Sequence, residues 1–535
     1  MNEIKVLDCT LRDGGYINNC NFGYDNILKI IRELESANID MIECGYLREV
    51  EYDKNKSEFP SMQIFAQNIK KKRDKSKYLL MGIYGEYDYK KLPDFKPSYA
   101  DGVRVTFHRE ERLKALEDVK VIKDKGYKLF IQPTATLGYS DYQLLEIVEH
   151  VNKLMPYSFY IVDTFGEMRE YDITRLAQLF DNNLDTSIRL GFHSHNNLQL
   201  SYSNAVAFIN AVHRRKVILD SSVFGMGRGA GNLCTELITE YLNVQYDKSY
   251  RTLPMLKLID DVIKGIRNKE YWGYSPEYYL SAINKCHPSY AKYYEEMNTI
   301  KFEDIDRLIS SIELYKRVDF DKKYAEELYF DFNMHNVDDT NSVDSLTQSM
   351  QGKNVLLIGT GKSIVNYKNN IIIQAVNDDT VTISINHIEK KIPTDFVFIS
   401  NNKRLEAING FGENHNIICT SNVEYAEKQV SHVIDYSKWV YRKGGRTSDN
   451  PLLIMINLLI NIGVSKVYLA GFDGFTADSA NNYLDEGMQT FLSQSKVNDI
   501  NELLSEAILY CSKLIDISFI TPSLYEQREV LEEVW

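Results

Sequence analysis

Seven cysteines are spread over 535 residues, and no two form a CxxC pair. An odd, scattered set argues against a disulfide framework and for a reducing compartment. No apolar run approaches the ~18 residues of a membrane-crossing helix. No charged-then-apolar signal segment opens the chain. Cytoplasmic localisation without a membrane span is therefore the expectation. Positive charge is in deficit, with 62 Lys and Arg against 75 Asp and Glu and a formal net charge of -13. Nucleic acid is then not the expected partner, since phosphate binding wants a basic surface. Small-molecule substrates are. Hydrophobic residues make up 44% of the chain, enough for sizeable cores, and the length implies more than one domain.

From residue 4 to about 245, short β-rich runs alternate with helical patterns. The runs are "IKVLDCT", "DMIECGY", "YLLMGIY", "GVRVTF", "KLFIQP", "FYIVDT", "IRLGFH" and "VILDSSV". Amphipathic stretches such as "NILKIIRELESAN" (26–38) and "QLLEIVEHVNKLM" (143–155) separate them. Strands apolar on both faces that alternate with helices indicate a parallel sheet. Eight such units suit a closed (β/α)₈ TIM barrel, with an open doubly wound sheet as the alternative. Polar residues gather at strand C-termini, where a barrel keeps its active site. The fold class is α/β. The barrel is placed at 1–250, a helical extension and linker at 251–348, and a doubly wound Rossmann-like domain at 349–535. Within the linker, "HNVDDTNSVDS" (335–345) is polar and turn-rich.

The first strand runs into Arg12 and Asp13, and the seventh ends in "HSHNN" (193–197). Side chains alternate along a strand, so His193 and His195 share one side. Two imidazoles and one carboxylate at a barrel mouth bind a divalent metal and leave positions open for substrate. A lone histidine would read as a hydrogen-bonded core residue; the combination does not.

These residues sit in "TLRDGG" (10–15), "IECGY" (42–46), "VRVTFH" (103–108), "VDTFGEM" (162–168), "HSHNN" and "GMGRGAGN" (225–232). In this order they resemble the DRE-TIM metallolyase superfamily. That group includes 4-hydroxy-2-oxovalerate aldolases, HMG-CoA lyases, isopropylmalate and homocitrate synthases, and pyruvate carboxyltransferase domains. The aldolases are the nearest in pattern. The resemblance covers roughly residues 4–290. It implies that Asp13, His193 and His195 are metal ligands, with Asn232 a further one. It implies that Arg12 stabilises an enolate oxygen and that Glu43 orders Arg12. Asp163 and Thr164 would bind substrate or fix their loop. Mn²⁺ or Mg²⁺ is the expected ion, with Zn²⁺ or Co²⁺ also compatible, and a homodimer is the expected assembly.

The implied chemistry makes or breaks a carbon–carbon bond through a metal-stabilised enolate of a 2-oxo acid such as pyruvate, with an aldehyde as partner. No lysine closes any of the eight strands, so a Schiff base is not needed. The chain departs from the aldolases where they carry a histidine base three residues after the metal aspartate. Tyr16 stands there, and a phenol of pKa ~10 would need activation. His108, closing the fourth strand, is the alternative. The rival readings are a Claisen-type acyl-CoA condensing enzyme, and a glycosyl- or nucleotidyl-transferase with an auxiliary barrel.

The second α/β unit opens with "KNVLLIGTGKS" (353–363). A P-loop would need glycine at Leu356, and the dinucleotide pattern would need it at Ile364. What is left is a glycine turn at a helix start. Gly359, Gly361 and Ser363 are its candidate nucleotide or anion contacts. A nucleotide-sugar there would make the aldehyde a sugar derivative and point to surface-polysaccharide biosynthesis; a purely structural domain is the other reading.

Overall fold

The computed structural model describes residues 3–70, 76–297, 299–388, 391–408, 416–424, 430–443, 446–476, 478, 481–484 and 494–526. The chain divides into two compact units: residues 1–291 with 312–320, and residues 292–311 with 321–535. The helix-rich stretch 251–348 is therefore shared between the two units and forms no unit of its own.

In the first unit eight strands form the barrel: β1 (Ile4–Asp8), β2 (Met41–Leu47), β3 (Lys77–Ile83), β4 (Gly102–Phe107), β5 (Lys128–Pro133), β6 (Ser158–Asp163), β7 (Arg189–Ser194) and β8 (Val217–Ser221). Each is parallel to the next, and β8 pairs back onto β1. The open-sheet alternative is thereby excluded, and the closed barrel has no exposed edge. A two-residue strand, Glu58–Phe59, adds to β2 beyond a register irregularity between Glu43 and Tyr46.

Alternation along the strands divides the core. Leu7, Met41, Leu79, Phe130, Tyr160 and Ile218 form one buried cluster, the filling of the barrel. Val6, Ile42, Leu80, Val105 and Ile131 belong to the larger cluster that packs against the helices. The helices begin and end for local reasons. Ser140 accepts a hydrogen bond from the Gln143 amide at 3.3 Å and so starts Asp141–Leu154, which stops where Met155 turns left-handed at φ 50°. Its buried Leu144, Ile147, Val148, Val151 and Leu154 recur at helical spacing.

The second unit contains seven parallel strands: β9 (Asn354–Ile358), β10 (Thr380–Ile385), β11 (Phe396–Ile399), β12 (Ile417–Thr420), β13 (His432–Ile434), β14 (Lys466–Ala470) and β15 (Asp516–Phe519). Their spatial order is β13-β12-β11-β10-β9-β14-β15, so the winding reverses between β9 and β14. Helix Pro451–Ile462, almost wholly apolar, lies buried in this unit. The Asn450 side chain caps its start and Gly463 ends it at φ 79°.

The segment expected as a linker is ordered into this unit. Thr340–Met350 is a helix with Leu346 and Met350 buried, and Asp339 accepts a hydrogen bond from Trp439 Nε1 at 2.6 Å. Its polar residues cap and anchor, while the buried pair at i and i+4 packs. A cavity of about 310 Å³ opens at the C-terminal ends of β11 and β12, lined in part by Tyr329, Asn333, Asn401 and Asn422. No helix among the described residues is long and apolar enough to cross a membrane.

Candidate metal centre at the barrel mouth

Asp13 follows the end of β1, and His193 and His195 lie at the end of β7. One donor atom from each falls within 4.8 Å of the other two. The imidazoles stand edge to face, with ring centres 5.3 Å apart. His193 Nδ1 lies 3.0 Å from Asp220 Oδ2, which assigns the ring proton to Nδ1 and leaves the Nε2 lone pair for a cation. Burial, with His193, Arg228 and Arg12, pushes His195 down to about 3 against the pull of Asp13, so that ring is neutral. Burial alone would raise the Asp13 carboxyl. Arg12 and the hydrogen bond from Asn232 hold the group ionised, well below its ordinary value.

Asn232 completes the set. Its Nδ2 donates to Asp13 Oδ2 at 2.7 Å, while its Oδ1 is buried and accepts no hydrogen bond. A buried, unpartnered amide oxygen beside a carboxylate and two imidazole lone pairs fits a divalent cation. The loop that delivers it must pass close by. A Cβ added at Gly227 would stand 2.4 Å from Asn232 Nδ2 and 2.8 Å from Asp13 Oδ2, so only glycine fits there.

Below these groups charges of alternating sign form a continuous chain. Arg12 donates to Asp13 Oδ1 at 2.6 Å and to Glu43 Oε2 at 2.7 Å. Arg104 Nη1 lies 3.0 Å from the same Glu43 oxygen, and Arg104 Nη2 donates to Asp220 Oδ2, which in turn holds His193. All six residues are buried. Among these buried side chains three carboxylates stand against two guanidiniums, an excess of one negative charge that a cation compensates. Arg12 Nη2 donates to nothing among the described residues.

Asp8, beneath the centre, accepts from Thr235 Oγ1 at 2.7 Å and from the Thr10 amide at 2.9 Å. Burial raises its carboxyl from 3.8 to about 6. The folded state then holds this proton longer than the unfolded chain does. The contribution to stability is full below about pH 4 and is lost as pH rises through about 6, at roughly 1.4 kcal/mol per pH unit. We expect Asp8→Asn to flatten the pH dependence of barrel stability between pH 4 and 6, read by hydrogen exchange of β1. An unchanged slope would remove Asp8 as its source.

The other expected site residues divide into two groups. Asp13, His193, His195, Asn232, Arg12 and Glu43 come together. Tyr16 stands close by, 45% exposed, with its ring edge-on to Tyr46 and facing Arg228. His108 does not join them: its amide donates to Glu111 and its Nε2 lies 3.8 Å from Asp319. Asp163 Oδ1 accepts from the Glu167 amide at 2.9 Å, and Thr164 Oγ1 from the Ala135 amide at 2.8 Å. In this structure both fasten loops.

Sequence reasoning missed Arg104, Asp220, Arg228 and His287. For Arg104 and Asp220 a signal existed, a charge inside the otherwise apolar runs "GVRVTF" and "VILDSSV".

The glycine turn of the second unit is corrected. The amides of Gly359 and Gly361 donate to the carbonyls of Ala470 and Gly471, both at 2.8 Å. The Ser363 amide donates to Asp473 Oδ2 at 2.8 Å, and its hydroxyl bonds Asp473 Oδ1. The N–H groups are satisfied within the chain, and a carboxylate stands where an anion would have to enter. Gly359, Gly361 and Ser363 therefore form no free anion site.

Comparison with known proteins follows the same lines. Residues 103–262 match the HMGL-like family model. Oxaloacetate decarboxylase of Mycobacterium tuberculosis is 26% identical over 242 residues, 45% of this chain and 70% of that protein. 4-Hydroxy-2-oxovalerate aldolase of Carboxydothermus hydrogenoformans is 26% identical over 271 residues, 49% of this chain and 77% of that protein. Among solved structures, the N-terminal domain of a candidate aldolase from Bacteroides vulgatus is 24% identical with a TM-score of 0.49, covering 57% of this chain and 99% of that one. Residues 103–262 thus match the HMGL-like family model, and the barrel that contains them is similar to aldolases and decarboxylases that share about a quarter of its residues.

Proposed function

We propose that the barrel is a divalent-metal-dependent carbon–carbon lyase that joins or splits a 2-oxo acid such as pyruvate and an aldehyde. The observation that carries this reading is the unpartnered Asn232 Oδ1 beside Asp13, His193 and His195, next to buried ion pairs in which three carboxylates outnumber two guanidiniums. A divalent ion held there supplies Lewis-acid polarisation of a keto group. The chain supplies the rest. Glu43 and Asp13 fix Arg12, whose free Nη2 offers a preorganised donor to an oxyanion. Asp220 keeps His193 in the tautomer a cation needs. Tyr16, at the open side, is the hydroxyl we assign to proton transfer. The relatives named as aldolase and decarboxylase act on 2-oxo acids by name, which agrees with this substrate class. The sugar-derived aldehyde rested on an anion turn that Asp473 closes, so it does not enter the proposal.

The test is deuterium exchange of pyruvate methyl protons, followed by NMR. Stripped of metal, the protein should exchange at the solvent rate; Mn²⁺ or Mg²⁺ should restore exchange. Exchange that ignores metal, or silence across several 2-oxo acids with metal present, would sink the reading.

A further inference from the structure

Arg12 and Arg104 are each paired with carboxylates; Arg228 is not. It sits in the loop whose Gly227 touches Asp13 and Asn232, and its guanidinium lies 5.3 Å from the centre of the Tyr16 ring. It therefore faces the open side of the metal centre. Among the described residues no carboxylate lies within ion-pair distance of it, and its Nε is buried without a partner. Its near neighbour is His287, with Nη1 2.8 Å from Nε2.

That contact is frustrated. The Ser289 amide, a fixed donor, approaches His287 Nδ1 at 3.2 Å. A guanidinium N–H, also a fixed donor, faces Nε2. A neutral imidazole has one lone pair and one N–H, so either tautomer leaves one donor facing another; protonation makes it two. His287 cannot relieve this by charging, because burial and the adjacent guanidinium hold it neutral. One arrangement relieves it. With Nδ1 accepting from Ser289, the Nε2 proton and the Arg228 proton oppose each other across 2.8 Å, and parting the two groups to admit an anionic oxygen that accepts from both removes the clash.

We propose that Arg228 and His287 form an anion subsite for the aldehyde partner, which carries a carboxylate or phosphate of its own. This rests on the lyase reading for the identity of the partner, although the subsite itself does not. The 2-oxo acid is served by the metal set and Arg12. A free cation one step outward selects an acceptor with a second negative group, and one N–H on each side suits a single oxygen of it.

The experiment is calorimetric titration of the full chain, loaded with Mn²⁺ and saturated with oxalate as stand-in for the 2-oxo acid. The probes are 4-oxobutanoate, glyceraldehyde 3-phosphate and the neutral butanal. Inorganic phosphate is titrated into metal-free protein in parallel. We expect one or both charged probes, and phosphate, to weaken at least about tenfold in Arg228→Ala. Mn²⁺, oxalate and butanal affinities should stay within about twofold, and Arg228→Lys should fall between. Comparing the two charged aldehydes identifies carboxylate or phosphate. Anion binding indifferent to Arg228, or oxalate weakened as much as the aldehydes, overturns the subsite. Failure of Mn²⁺ or oxalate to bind overturns the lyase reading instead, and the phosphate titration still decides the subsite. His287→Gln, which can turn its amide to accept from Arg228, guards against a folding defect in the arginine variants and should weaken phosphate in the same direction.

Discussion

In His193→Ala and Asp13→Asn, metal-dependent exchange should fall to background while the barrel stays folded. His193→Ala removes one donor from a set of four and so the geometry, while Asp13→Asn exchanges the only charged donor for a neutral amide and so loses the charge compensation. Asp220→Asn makes the graded control. It removes no donor, yet it exchanges the charged acceptor of the His193 Nδ1 proton for a weaker, neutral amide oxygen. Loss of such a supporting contact costs on the order of 10–100-fold in metal affinity or activity. The expected order of Mn²⁺ affinity, read by electron paramagnetic resonance of free ion, is wild type, then Asp220→Asn, then the two ligand variants. If Asp220→Asn bound metal as tightly as wild type, His193 would not depend on Asp220 for its orientation. If His193→Ala kept full exchange, the metal centre would have to be elsewhere.

What the sequence disclosed about this centre follows from spacing. An HxH at a strand end puts two imidazoles on one side regardless of tertiary detail, and an Arg-Asp pair after the first strand meets it once eight strands close. Other parts depend on partners remote in the chain. Arg104 and Asp220 are 116 residues apart, and neither makes sense without the other. The same holds for "GTGKS": the turn was legible, but Asp473, 110 residues later, is what fills it. His287 lies in "INKCHPSYAKYY", which has no strand period and no motif, so nothing local marks it as a neighbour of Arg228. The edge strands β13 and β15 are hard to read for a different reason. They are short and only partly buried, so they lack the apolar run that marks a central strand.

The largest effect on stability should come from Glu43. One oxygen of this carboxylate meets both Arg12 Nε at 2.7 Å and Arg104 Nη1 at 3.0 Å, and the side chain is wholly buried. Removing one member of a buried ion pair costs about 3–5 kcal/mol, because the partner left behind remains desolvated. Glu43→Gln leaves two guanidiniums facing each other across a neutral amide, so it should lie at the upper end. Pairing it with Arg104→Gln removes one of those stranded charges. The double variant should then cost less than the sum of the single ones by about 1 kcal/mol or more. Hydrogen exchange of β1, β2 and β4, read by mass spectrometry, isolates the barrel from the second unit and measures each corner of the cycle. Additive costs would mean that Glu43 and Arg104 act independently. Arg12 supplies the functional corollary. It is held on one side by Glu43 and on the other by Asp13, so without Glu43 its guanidinium has one anchor and its Nη2 is no longer fixed at the mouth. Exchange activity in Glu43→Gln should therefore fall further than the folded fraction does.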